Sequence, residues 1–181
     1  MTKIEIKSPT RVDLAGGTLD LWPLHQFVEG AITLNIAIDI WTRASIEPLA
    51  GTEIIWDNQD LNLVKKYPDL KAALADTDPK VILFQSVVKF FKPQKGFKLI
   101  TKSESPVGGG LGASSSLTIS MMKAFAQWLD YKFKSVHEIV QVGHNLEAFG
   151  RTTPTGTQDY YPAVSGGINI LKYSTLGIEQ E

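Results

Sequence analysis

Residues Ser105–Ser116, SPVGGGLGASSS, set four glycines and then three consecutive serines between a charged segment and an apolar one. Glycines ahead of a helix let successive backbone N–H groups converge without interference from Cβ atoms. The first helical turn adds its own unpaired donors and the positive end of its dipole. Such a combination binds phosphate. A Walker A loop requires a lysine after its last glycine, and none follows here. Gly108, Gly110 and Ala113 satisfy the G-x-G-x-x-G/A dinucleotide fingerprint. The serine run is not part of that pattern, however, and Asp130 falls at a predicted helix end instead of the tip of a second parallel strand. The remaining local alternative is a Gly/Ser loop whose hydroxyls only cap the helix. Beyond capping, a second hydroxyl can ligate Mg²⁺, the hard cation that accompanies a nucleoside triphosphate. A carboxylate is then expected to complete the site.

The elements that position this stretch follow from periodicity. Lys3–Lys7 alternate as a strand does, and Ala31–Glu47 carry Ile32, Leu34, Ile36, Ile38 and Ile40 at every second position. Glu53–Trp56 predict a further short strand. The segment LNLVKKYPDLKAALADTDPK, polar and broken by Pro68 and Pro79, reads as loop with at most a helical turn. Val81–Phe91 have helical spacing, and GFKLIT at Gly96–Thr101 returns to alternation just before the glycines. A helix beginning near Ala113 runs through Leu117–Leu129. Ser135, with Glu138 three residues on, forms a capping box for a helix reaching about Phe149. The strand GGINILKY follows. This order predicts one α+β domain, with helices on one face of a mainly antiparallel sheet.

Composition narrows the function classes. The formal net charge of −1 gives no basic surface for nucleic acid and no polybasic membrane anchor. The absence of cysteine excludes disulfides, thiolate zinc sites and cysteine nucleophiles. No run approaches the roughly 18 apolar residues of a membrane span, and MTKIEIKS lacks the pattern of a secretory leader. A cytoplasmic location is expected. His25, His137 and His144 are too scattered for a metal triad, and no serine–histidine–acid set suggests an acyl hydrolase.

Three stretches taken together carry a family resemblance. SPVGGGLGASSS resembles the second motif of the GHMP kinases, Pro-x-x-x-Gly-Leu-Gly-Ser-Ser, with Ala113 in place of the first serine. SPTRVDLAGGTLDL is similar to their first motif, and EAFGRTTPTGTQDYYPAVSGG to the segment that bears their catalytic aspartate. The pattern is most like the branch that phosphorylates heptose phosphates and fucose.

The resemblance implies roles residue by residue. Asp159 corresponds to the base that takes a proton from the acceptor hydroxyl. Arg11 corresponds to the arginine that pairs with it, keeps it ionised and stabilises the transferring phosphoryl group. Backbone from Gly108, Gly109, Gly110, Leu111, Gly112, Ala113, Ser114, Ser115 and Ser116 would hold the ATP phosphates, with Mg²⁺ on Ser114 and Glu147. Gly16, Gly17, Asp20, His25 and Gln158 would line the sugar. Taken alone, each has an ordinary alternative: an Asx turn for Asp159, a surface arginine for Arg11, a solvated helix glutamate for Glu147, a loop histidine for His25. Trp22 and Tyr160 could stack on a sugar face or fill core, and core is the expectation for Tyr160.

The implied fold is the ribosomal protein S5 domain 2-like N-terminal domain of GHMP kinases, with a left-handed β-α-β crossover where general rules favour the right-handed form. The implied function is ATP- and Mg²⁺-dependent phosphorylation of a sugar or sugar phosphate. The alternatives are a non-catalytic sugar- and ATP-binding module and a mevalonate-pathway enzyme. Residues 1–181 are expected to be the N-terminal domain alone. The C-terminal GHMP domain, or a second chain, is then the expected partner, and an exposed docking patch prone to self-association is anticipated.

Overall fold

The computed structural model describes residues 2–106, 108–149 and 155–181. Its spine is the 17-residue strand β2 (Ile32–Pro48). Strand β1 (Ile4–Ala15) lies antiparallel along one edge of β2, from Ile4 opposite Ile46 to Ala15 opposite Leu34. The other edge takes β5 (Phe97–Ser103) beside its C-terminal half and β6 (Ile168–Ser174) beside its N-terminal half, both antiparallel. Beyond β5 come β3 (Ile54–Asn58), parallel to it, and β4 (Leu63–Tyr67). Beyond β6 comes β7 (Gly177–Gln180). The mixed, mainly antiparallel sheet with its helices is the α+β architecture the element order predicts.

The helices are α1 (Leu70–Ala75), α2 (Ile82–Phe91), α3 (Ala113–Trp128), α4 (Val136–Ala148) and α5 (Tyr160–Ser165). Helix α3 lies across β1, β2 and β5 and joins the two parts of the core. Met121, Ala124 and Phe125 pack with Phe84, Phe97 and Leu99, while Ile119 and Met122 pack with Tyr160, Tyr161 and Leu171. Phe84 stacks on Trp56 with ring centroids 5.0 Å apart, joining α2 to β3. Ser135 caps α4 as the sequence predicts, its Oγ accepting from the Glu138 N–H, an interaction worth about 1 kcal/mol. No helix among the described residues is long and apolar enough to cross a membrane.

The structure differs from the sequence reading in four ways. The segment read as loop holds β4 and α1, because β3 offers a pairing edge that makes a strand of the polar Leu63–Tyr67. Strand β1 continues to Ala15, with Pro9 tolerated because it sits at a register slip on an edge strand. The alternating isoleucines do form β2, but its first half buries Thr33 and Asn35 and leaves Ile32 exposed. The second half buries Thr42, Ala44 and Ile46, on the far side of the same slip. Helix α5 and strand β7 add to the predicted elements.

Candidate active site

The glycine-rich stretch turns from β5 into α3 along a cleft of about 520 Å³, lined by Gly108–Ser115 together with Asn58, Glu147 and Asp159. Gly108, Gly110 and Gly112 have φ of 77°, 69° and 68°, the left-handed region that residues with a Cβ seldom occupy. A Cβ at Gly108 or Gly110 would meet nothing within 4 Å, so conformation and an open cleft, not packing, call for glycine there. Strand β1 supports the loop from behind. The Arg11 N–H donates to the Leu111 carbonyl at 3.0 Å, and Arg11 Nη1 to the Gly110 carbonyl at 2.7 Å. The N-cap residue of α3 is Gly112, which has no side chain to cap the helix with, whereas the sequence reading allows one of the serines that part. Ser116 faces away from the cleft: its Oγ donates to the Ser8 carbonyl and meets the Thr42 hydroxyl at 2.8 Å. The Gly109 N–H is engaged by the Pro106 carbonyl. Ser114 and Ser115 line the cleft. Val107 of the second motif and Gly150–Pro154 of the third lie outside the described residues.

At the inner end of the cleft, Arg11 meets Asp159, 148 residues away in sequence. Arg11 Nε donates to Asp159 Oδ1 at 2.7 Å, and Nη2 approaches the same oxygen at 2.6 Å. A proton arriving at this carboxylate therefore has Oδ2 to occupy. Gly112 backs the same side chain, since a Cβ there would lie 3.1 Å from Asp159 Cγ. Burial pushes the Asp159 carboxyl above the usual aspartate range, the neighbouring Asp13 and Asp20 add to this, and Arg11 opposes them. Arg11 favours the ionised carboxylate, the direction the sequence reading expects of it, and burial acts against it.

Asp13 joins this cluster although the sequence reading did not single it out. It lies two residues from Arg11 on β1, hence on the same face, and that spacing was the available signal. Its Oδ1 is 3.1 Å from Arg11 Nε, an ion pair without an aligned hydrogen bond because that N–H points at Asp159. Gln158 Nε2 donates to Asp13 Oδ2 at 3.2 Å. Burial raises the Asp13 carboxyl too, against Arg11 and with Asp20. Asp20 is itself buried, and its Oδ2 accepts from the Gln158 N–H at 3.0 Å. Gly156 presses on that carboxylate so closely that a Cβ would fall 1.7 Å from Oδ2. Asp20 thus anchors the segment carrying Gln158 and Asp159. Asn35 Nδ2 donates to the Gln158 carbonyl, while Asn35 Oδ1 and Gln158 Oε1 are buried without a hydrogen-bond partner among the described residues. Buried oxygens of this kind cost about 1–3 kcal/mol each unless a bound group donates to them.

Other expected sugar-lining residues are placed differently. Gly16 has φ 74°, and a Cβ there would lie 1.9 Å from the Ile32 carbonyl oxygen, so it serves the close approach of backbone to β2. Gly17 lies beside Asp13. His25 packs against Tyr173 and the exposed Trp22. Tyr160 is core, fully buried, as expected. Glu147 is not a solvated helix residue: it is 5% exposed, and its Oε2 accepts from Ser115 Oγ at 3.0 Å and from the Tyr160 hydroxyl at 2.5 Å. No cluster of three or more histidine, aspartate or glutamate residues among the described residues is arranged to hold a metal by itself. A hard cation here would draw on hydroxyl and phosphate oxygens as well.

Residues 82–167 match the family described as the GHMP kinases N terminal domain. The chain is 32% identical over 178 residues to a D-glycero-alpha-D-manno-heptose 7-phosphate kinase of Campylobacter jejuni, covering 96% of this chain and 51% of that protein. It is 27% identical over 150 residues to a mevalonate kinase of Methanocaldococcus jannaschii, covering 78% and 46%. The chain therefore spans about half the length of these curated relatives. Among solved structures, a D-glycero-D-manno-heptose 1-phosphate kinase from Bacteroides thetaiotaomicron superposes with a TM-score of 0.87 at 26% identity, over 99% of this chain and 59% of that one.

Proposed function

We propose, for a chain that belongs to the GHMP kinases through their N-terminal domain, that it carries the phosphoryl-transfer site of an ATP-dependent kinase acting on a hydroxyl of a sugar or sugar phosphate. The observation that carries this reading is the convergence of the Arg11–Asp159 pair, the left-handed glycines and Glu147 on one cleft. Phosphoryl transfer depends mainly on positioning and on neutralising charge, and these residues fit both needs. Backbone N–H groups in the first turn of α3 and the bare backbone of Gly108 and Gly110 would cradle the ATP phosphates. Ser114 and Glu147, both oxygen donors, would hold Mg²⁺, which when bound offsets phosphate charge. Asp159 Oδ2 would take the proton of the acceptor hydroxyl. Arg11 would hold the base in place and face the charge that develops on the transferred group. A further domain, in the same protein or in a second chain, would close the open side of the cleft and exclude water.

The acceptor end favours a sugar over mevalonate. Asp13 and Asp159 share the Arg11 guanidinium, and Asp20 lies near enough to raise both carboxyls. Carboxylates arranged in this way accept from the several hydroxyls of a sugar, and any anionic group of the acceptor, carboxylate or phosphate, would have to lie away from the three acids. The test is ADP release by the full-length gene product with ATP and a panel of free sugars, heptose phosphates and mevalonate. Turnover with a sugar or sugar phosphate is expected. Turnover with mevalonate alone would overturn the acceptor assignment, and binding of sugar and ATP without ADP release would establish a binding module instead.

The pH profile gives a second check. Because burial raises Asp159, the acid limb of kcat/KM is expected above the usual aspartate range, with activity lost as pH falls through the raised pKa. Arg11 lowers that pKa, so Arg11→Met should move the limb to still higher pH besides slowing the reaction. A limb that moves down, or stays put, would separate Arg11 from the base.

A further inference from the structure

Resting on the reading of Glu147 as a cation ligand, we propose that Tyr160 is the positioning residue that fixes the Glu147 carboxylate and ties it through one peptide bond to Asp159. Gly143 lies one turn before Glu147 on helix α4, and a Cβ there would come within 3.1 Å of Tyr160 Cδ1 and 3.2 Å of Cε1. The missing side chain is the space in which the tyrosine ring lies. From that space the hydroxyl reaches Glu147 Oε2 at 2.5 Å, beside the Ser115 hydroxyl on the same oxygen. Two neutral donors on one carboxylate oxygen fix the plane of the group without cancelling its charge, as donors behind a metal ligand do elsewhere.

Helix α5 makes this contact reach further than Glu147. Asp159 is its N-cap residue and Tyr160 its first, so the base and the brace of the cation ligand share a backbone. The far end of α5 is held as well: Lys123 Nζ, on α3, donates to the carbonyls of Val164 at 3.1 Å and Ala163 at 3.4 Å. Arg11 holds Asp159, Glu147 holds Tyr160 and Lys123 holds the last turn, so the six-residue helix is fixed at both ends.

The test uses the full-length gene product and two readouts. The first is binding of Mn²⁺ in the presence of a non-hydrolysable ATP analogue, followed by the spin-resonance signal of free Mn²⁺. The second is the acid limb of kcat/KM. Tyr160→Phe keeps the ring and removes only the hydroxyl. It is expected to weaken Mn²⁺ binding by about 10- to 100-fold, the usual loss when a donor behind a metal ligand is removed, while the analogue still binds in EDTA and the acid limb stays in place. If Tyr160→Phe does not fold, Gly143→Ala, which crowds the ring and leaves the hydroxyl, must show the Mn²⁺ loss. Wild-type Mn²⁺ affinity in folded Tyr160→Phe, with Glu147→Gln still abolishing it, would overturn the positioning role and leave the cation site standing. Wild-type affinity in Glu147→Gln would overturn the cation assignment and the brace together.

Discussion

Asp159→Asn in the full-length protein is expected to lower turnover by about 10²- to 10⁴-fold, the usual contribution of a positioned general base. The substitution keeps size and shape, and an amide oxygen in place of Oδ1 can still accept from Arg11 Nε, which donates at 2.7 Å. It removes the proton acceptor and the negative partner of the guanidinium. Because Asp159 is held by Arg11 on one side and Gly112 on the other, little rearrangement of the cleft is expected, and the affinities for nucleotide and acceptor should change far less than turnover. Measuring single-turnover rates alongside equilibrium binding separates the two effects. Turnover within a few-fold of wild type would place the chemistry on another residue.

Gly112→Val should be nearly as damaging through a different route. At φ 68° a β-branched residue is strained, at a cost of about 1–3 kcal/mol for a backbone held in such a region. Its Cβ would also press on Asp159 at 3.1 Å from Cγ. The backbone can relieve both only by moving the start of α3 or the base, and misplacement of a reacting group by about 1 Å can cost about 10²-fold in rate. Weaker nucleotide binding together with a fall in turnover of about that size is expected. The Ser116 N–H to Gly112 carbonyl bond and the buried α3 core should keep the domain folded. A folded variant with unchanged nucleotide affinity would remove the glycine turn from the phosphate site.

Features held within a few neighbouring residues were legible in the sequence. The Ser135–Glu138 cap, the periodicity of α2 and α3, the alternation of β2 and the run of glycines all express preferences of local backbone and local burial. They placed the glycine turn at the start of a helix, and the family likeness then pointed to Asp159, Arg11 and Glu147. What local pattern could not supply was the direction of burial. In the first half of β2 the alternating isoleucines predict an apolar inner face, yet Thr33 and Asn35 are the buried residues. The buried parity changes between Asn35 and Thr42, the stretch in which the pairing with β1 shifts register.

Tertiary structure alone decided how the site residues act on one another. Arg11 and Asp159 are 148 positions apart, Asn35 and Gln158 are 123 apart, and Ser115 and Glu147 are 32 apart. Strand β4 exists because β3 offers it an edge, and Asp13 becomes part of the acid cluster because β1 runs on past Pro9. The raised pKa of Asp159 comes from burial by segments distant in the chain. Gly16, Gly143 and Gly156 look like ordinary loop or helix glycines in the sequence. Each proves to be the space occupied by another group, the Ile32 carbonyl, the Tyr160 ring and the Asp20 carboxylate. The sequence determines which residue types are available and the local conformations they prefer. Distances and electrostatic influence between remote residues arise only when the sheet and α3 bring them together, because these depend on separation in space and on exclusion of water.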